Sequence, residues 1–301
     1  MGKGRWLLLS ILLAMALFGR AEGGCGSGAG DNPLRRPFEV WGDYIAIGKA
    51  HFDDKALADH SFHYRRGRAS ASISCLLNCK TALRVAAHYN DYTLDWRGNP
   101  YFTETHFPEV GLSIAGMTSC IPRWCWIGAI GLFVQTERKA SIGKYGTWRG
   151  LLYGRYALCK DFGVDIGFLV ERGIDNTFIF PIVGFDWCIT RRLRADVVFP
   201  LDAALTYCIN PYLSVAVGAR WIRTRLRLGE NNPLPLGILE FRTYGAEGRL
   251  IIRPSPGFGI ELFAGATIDG WIRVENPTAF HLQYENVNGA PYVGAEAYAH
   301  F

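Results

Sequence analysis

Phe162-Gly163-Val164-Asp165-Ile166-Gly167-Phe168-Leu169-Val170-Glu171 decides the reading of this chain. Phe162, Val164, Ile166, Phe168 and Val170 fall on one parity; Gly163, Asp165, Gly167, Leu169 and Glu171 fall on the other. A period of two is the signature of a strand with unlike faces, one apolar and one carrying charge. Phe258, Ile260, Leu262, Ala264, Ala266 and Ile268 repeat the pattern against Gly259, Glu261, Phe263, Gly265, Thr267 and Asp269. Three noisier copies run through Leu83–Asn90, Trp126–Gln135 and Ala246–Arg253. The longest uncharged run of the mature part, between Asp202 and Arg220, is interrupted by Asn210-Pro211 and reads as two strands rather than a helix. The expectation is an all-β chain.

Alternation alone also fits a soluble sandwich, whose apolar face is a core. The connections favour a barrel in a membrane. From Val40 to Phe301 we count about fourteen strands, an even number as bacterial barrels have, with twelve as the other reading. Short turns lie near Asn78, Ile121-Pro122, Lys160-Asp161, Thr190, Asn210-Pro211 and Ser255-Pro256. Longer links run through His51–His63, Asp95–His106, Thr136–Gly146, Gly229–Leu236 and Val274–Asn288, while those at Gly173–Thr177 and Pro200–Asp202 are short for outside loops. Short turns on the periplasmic side and long loops outside is the outer-membrane arrangement. Along Val215, Val217, Ala219 and Trp221 the apolar face ends in Trp, and Arg223, Arg225 and Arg227 continue that parity. This predicts a girdle, with Trp at the lipid–water interface and Arg beyond it at anionic headgroups.

The ends agree with that reading. Lys3 and Arg5 precede the apolar stretch Trp6–Phe18, and Gly19-Arg20-Ala21 places small residues where a signal peptidase reads. The predicted organisation is a signal peptide at 1–21, a Gly-rich periplasmic linker at 22–37 and an outer-membrane β-barrel at 38–301. With Glu22 in the place where a lipobox wants Leu, Cys25 does not read as a lipid anchor. Losing Lys3, Arg5 and Arg20 from a chain of net charge +5 leaves +2, so the basic balance belongs partly to the signal and implies no nucleic-acid partner. At the other end Val293, Ala295, Ala297, Ala299 and Phe301 alternate with Gly294, Glu296, Tyr298 and His300. This resembles the C-terminal signature of outer-membrane barrels, a final amphipathic strand ending in Phe that the barrel assembly machinery recognises. It departs in having Ala299 where an aromatic is usual.

Phe180-Pro-Ile-Val-Gly-Phe-Asp-Trp187, Phe199-Pro200, Tyr244-Gly-Ala-Glu-Gly-Arg249 and Pro291-Tyr-Val-Gly294 carry a wider resemblance over Phe178–Phe301. They look like an uncharacterised family of bacterial outer-membrane barrels, which implies a fold and a location but no activity. Eight cysteines are many for such a protein. Cys75, Cys79, Cys120, Cys125, Cys159, Cys188 and Cys208 lie at or beside the short turns, so the topology gathers them into a ring on the periplasmic rim. Export makes disulfides available to them, within the chain or to other proteins. The Cys75–Cys79 spacing permits a zinc pair, but the Cys120–Cys125 pair is spaced more widely, and disulfides are the stronger reading. This cysteine use resembles the cross-linked envelopes of some intracellular bacteria.

Chemistry is sparse. Gly111-Leu-Ser113-Ile-Ala115 misses a nucleophile elbow because Ala115 stands where Gly is needed, and nothing in the sequence joins Ser113 to His88 or His300. His51, Asp53, Asp54, Asp59, His60 and His63 form the densest ligand cluster, read first as a polar loop and only second as a metal site. Neither a catalytic set nor a cofactor or metal site is expected. The strand faces instead predict a charged lumen: Arg84, Arg155, Asp165, Glu171, Glu247, Arg249, Glu261, Asp269 and Glu296, with Asp186, Arg192, Arg194 and Asp196 on the same parity. Both signs are present, which suits a weakly selective pore or a lumen closed by salt bridges. The expected function is a pore or structural envelope component facing outer-membrane lipid. A surface adhesin using its long loops and a barrel enzyme acting on lipid are the alternatives.

Overall fold

The computed structural model describes residues 37–301 apart from 55, 56, 58, 100, 137–144, 174–176 and 276–281. Residues 1–36, which include Cys25 and the expected signal peptide and most of the expected linker, lie outside the described residues.

Strands pair antiparallel in chain order. They are β1 (Phe38–His51), β2 (Ser61–Asn78), β3 (Thr81–Arg97), β4 (His106–Thr118), β5 (Trp124–Gln135), β6 (Gly146–Ala157), β7 (Phe162–Arg172) and β8 (Phe178–Cys188). There follow β9 (Leu193–Phe199), β10 (Asp202–Asn210), β11 (Leu213–Arg227), β12 (Ile238–Ser255), β13 (Phe258–Glu275), β14 (Leu282–Val287) and β15 (Pro291–His300). β14 pairs with the far end of β13 and β15 with its near end, so the two are one interrupted strand. β15 then pairs with β1, from Glu39 opposite His300 to Ile47 opposite Tyr292. The sheet therefore closes into a barrel of fourteen strands with no free edge along its lower wall.

The even count brings both ends of the barrel to one rim, where Phe38 and Phe301 exchange backbone hydrogen bonds. That rim also carries the β2–β3, β4–β5, β6–β7, β8–β9, β10–β11 and β12–β13 turns, all short. The opposite rim is uneven. β2, β12 and β13 are 18 residues long, whereas β8, β9 and β10 have 11, 7 and 9. The wall is consequently low at the Pro200-Leu201 turn and tall on the side of β1–β3 and β11–β14.

The outer face is an apolar belt in which Val85, Tyr89, Leu112, Ile130, Val217 and Val293 stand exposed. On β7 Ile166 is 43% exposed and Asp165 0%; on β13 Leu262 is 44% exposed and Glu261 3%. The period of two in the sequence is thus the alternation between outside and lumen.

One parity reading fails. Asp269, expected in the lumen, is exposed, with φ of 34°. Ile268 pairs with Tyr244 and Gly270 with Thr243, so Asp269 is an extra residue opposite the Thr243–Tyr244 link, held by Thr243 donating its hydroxyl to the Asp269 carbonyl. This bulge shifts the alternation by one: Ile268 faces out below it, and Ile272 is buried inward above it.

Candidate functional site

The lumen is where the chain's buried charge lies. Asp43 on β1 accepts hydrogen bonds from Arg68 Nε at 2.5 Å and Arg68 Nη2 at 2.7 Å, and from Arg66 Nη2 at 2.7 Å. Arg84 donates to Ser74 at 2.8 Å and to Glu39 at 3.2 Å, and His300 Nδ1 lies 3.0 Å from the same Glu39 carboxylate. Arg149 donates to Glu109 at 2.8 Å, with its guanidinium over the Phe133 ring. On the low wall Arg155 binds Asp165 through Nε at 2.8 Å and reaches Asp186 at 3.1 Å, and Asp186 also takes Arg194. Arg220, Arg249, Glu247, Glu261 and Asp202 form a third group, in which Tyr292 donates to Glu247 at 2.6 Å. Trp41 donates its indole N–H to Glu296 at 3.0 Å.

Every cation in these pairs is arginine. The chain has seven lysines, none beyond Lys160, and Lys49, Lys80 and Lys160 are exposed. A planar guanidinium satisfies two carboxylate oxygens at once and stays charged when buried, which suits a crowded lumen better than an ammonium does. Solvent reaches the network unevenly. Side chains of Arg66, Arg68 and Asp43 are almost wholly covered, whereas Arg155, Asp186, Arg194 and Asp196 remain partly wet. The lumen is therefore partly open to solvent beside β6–β9. Arg192, assigned to the same face by its parity, is instead exposed in the β8–β9 turn.

No family model matches the chain. It is 22% identical over 285 residues to an uncharacterised protein of Chlamydia trachomatis serovar D, covering 90% of this chain and 89% of that protein. An uncharacterised protein of Chlamydia pneumoniae matches with the same identity and coverage. Among solved structures, an outer membrane channel from Pseudomonas putida F1 aligns with a TM-score of 0.47 at 9% identity, over 88% of this chain and 96% of that one.

Above the charged pairs apolar side chains fill the lumen. Ile45, Ile47, Phe62, Tyr64, Tyr92 and Leu94 of β1–β3 share one buried cluster with Ile222, Leu226, Leu239 and Phe241 of β11 and β12. Phe62 and Phe241 rings are 4.8 Å apart, and Tyr64 Oη is 2.6 Å from Thr224 Oγ1. The opposite face of β11 is buried too. Trp221 belongs to a second cluster with Ile127, Leu151, Leu169 and Ile182, residues that line the lumen from β5–β8. Its ring lies 5.2 Å from Phe180, and Arg223 sits over both Phe178 and Phe180.

This overturns the girdle expected at Trp221, Arg223 and Arg225. Trp221 is 2% exposed and Arg223 0%; Arg223 and Arg225 pair with Glu240, and Arg225 also with Glu275. The physical reason is the low wall. β10 accompanies β11 only as far as Arg220, so beyond that residue the outward parity of β11 meets the inside of the barrel rather than lipid.

Sequence reasoning missed one contact. His88 Nε2 lies 2.7 Å from Ser113 Oγ on the lumen faces of β3 and β4. Register alone brings them near, since Gly111 stands opposite His88 and Ser113 opposite Ala86. His88 Nδ1 has no hydrogen-bond partner, so no acidic group orients the ring as a hydrolytic triad requires. In the His51–His63 region His60 Nδ1 accepts from the Trp96 indole at 3.4 Å, and no cluster of three metal-ligating side chains occurs among the described residues.

Proposed function

We propose that this chain is a bacterial outer-membrane barrel that works as a pore for small polar solutes, with no catalytic role. The observation that carries the reading is the reversal of polarity across one wall: Ile166 and Leu262 outside, Asp165 and Glu261 inside, repeated around a closed sheet. A soluble barrel reverses this, with its apolar side chains inward and polar ones in water. The partly wet Arg155–Asp186–Arg194 vestibule supplies an aqueous path lined by both signs of charge, which favours weak ion selectivity. Membrane lipid is the partner of the outer face, the barrel assembly machinery that of the terminal strand, and other cysteine-rich envelope proteins that of the short-turn rim. The test is to refold the mature chain in detergent and reconstitute it in planar bilayers. Stepwise conductance with weak cation–anion discrimination is expected. A barrel that inserts and never conducts, even with its upper hairpin removed, would leave a structural envelope role in place of the pore.

A further inference from the structure

We propose that the upper halves of β11 and β12, from Ile222 to Thr243, form a gate that folds into the lumen and swings out to open it. This rests on the pore reading. The hairpin's position follows from its two faces. One packs on the inner wall of β1–β3 through Phe62 and Tyr64; the other meets the inner wall of β8 through Arg223, which sits over Phe178 and Phe180, with Trp221 at the gate's base packed beside Phe180. Two separate stretches of the inner wall can both touch a hairpin only if it stands inside the barrel.

The outward parity records the curl strand by strand. On β14 Tyr284 is exposed; on β13 Trp271 and Arg273 are half-buried; on β12 Glu240, and on β11 Trp221, Arg223 and Arg225, are buried. Burial deepens toward β11, the edge without a neighbour. Past the Trp221 N–H bond to the Leu201 carbonyl, β11 pairs with β12 alone. An edge held on one side can move without breaking a ladder on the other.

Apart from the β12–β13 ladder, the apolar packing and the Tyr64–Thr224 hydrogen bond, two polar groups fasten the gate to the wall. At the tip, the Thr103 backbone N–H donates to Asn232 Oδ1 at 3.0 Å, and Gly229 N–H and Asn232 Nδ2 donate to Glu104 at 3.0 and 3.1 Å. Tyr145 donates to Glu230 at 3.3 Å. Midway, Glu171 on the wall attracts Arg223 and Arg149 electrostatically, yet neither of its buried oxygens accepts a hydrogen bond. A buried carboxylate facing two arginines without a bond to either is a costly arrangement. It is relieved when the hairpin leaves and water enters. Inside the gate, by contrast, Arg223 and Arg225 carry their Glu240 partner with them, and of these pairs only the Arg225 contact to Glu275 on β13 crosses the gate's boundary.

The experiment uses full mature chain in planar bilayers, with three forms compared. The first replaces residues 222–243 by Asn-Gly, joining the paired Trp221 and Tyr244 through a two-residue turn. The second carries Thr103→Cys and Asn232→Cys with the rim cysteines changed to Ser, its bridge confirmed by mass spectrometry. The third is Glu171→Gln. Folding of each is checked by strand circular dichroism and resistance to detergent unfolding. Wild type should open briefly to a large step, and the truncated form should hold that step almost continuously. The bridged form should stay shut until reductant restores openings, and Glu171→Gln should shift the open fraction several-fold. Steady wild-type conductance unchanged by truncation and by bridging overturns the gate and leaves the pore standing. Silence of the folded truncated form overturns the pore reading, and the gate with it.

Discussion

Asp165 and Ile166 are adjacent in sequence and live in different solvents. Asp165 is buried against Arg155, while Ile166 stands on the outer belt. Replacing Ile166 or Leu262 by Arg near mid-membrane should cost about 2–4 kcal/mol, measured as a shift in the urea midpoint of refolding into lipid vesicles. Equal tolerance of Arg at Ile166 and at a residue of the β2–β3 turn would contradict the assigned belt. Lumen positions carry a different constraint: Asp165 and Glu261 are engaged by Arg155 and Arg220, so losing either leaves an arginine short of its counter-charge. Alternation tells which way a side chain points, but not what it meets there. Arg84, Glu171, Glu247, Arg249 and Glu296 all lie buried in the lumen, yet their partners come from strands up to 255 positions away, as Trp41 and Glu296 show.

At the scale of the strand, period two was legible wherever a strand had lipid on one side and lumen on the other. β7, β13 below its bulge, and β15 are such strands. It misled where that condition lapsed. In β13 an inserted residue at Asp269 reset the parity, and a bulge leaves no mark in an alternation already noisy. In β11 the outward row from Trp221 to Arg225 resembles a girdle in composition. Only the shortness of β9 and β10 shows that no lipid lies beside it. The terminal strand gives a prediction of its own. Phe301 is exposed on the outer face and bonded to Phe38 at the seam where the first and last strands meet. Deleting Phe301 removes both the seam's last ladder bonds and the aromatic that the C-terminal signature places there. Outer-membrane yield should fall sharply, with material held in the periplasm, as read by fractionation. Unchanged yield would show that Ala299, where an aromatic is usual, marks a terminus that does not use the signal.

Across the whole molecule, an even number of strands fixes which features share a rim, and this is what gathers the cysteines. Cys75, Cys79, Cys120, Cys125, Cys159, Cys188 and Cys208 all fall at the short-turn rim, and the long connections carry none. All seven are free thiols in the structure, including Cys120 and Cys125 across one turn. They differ in reach. Cys75, Cys79, Cys120 and Cys159 are exposed, whereas Cys208 is buried and donation from Ser214 reaches its sulfur at 3.6 Å. Cys120 has a further distinction: hydrogen bonds from Thr118 and Thr81 lower its thiol below the usual range, so it holds more thiolate at a given pH than an unassisted cysteine. Exchange begins from thiolate, so Cys120 should be alkylated first, and its rate should level off at lower pH than that of a model thiol. Oxidised envelopes should then yield high-mass species on non-reducing gels that collapse to monomer with reductant. Changing Cys75, Cys79, Cys120 and Cys159 to Ser should sharply reduce them, while Cys208→Ser should not. Full alkylation of every mature cysteine without prior reduction would sink the cross-linking idea. Labelling of the same thiols from outside intact cells would invert the barrel, because one rim carries them all.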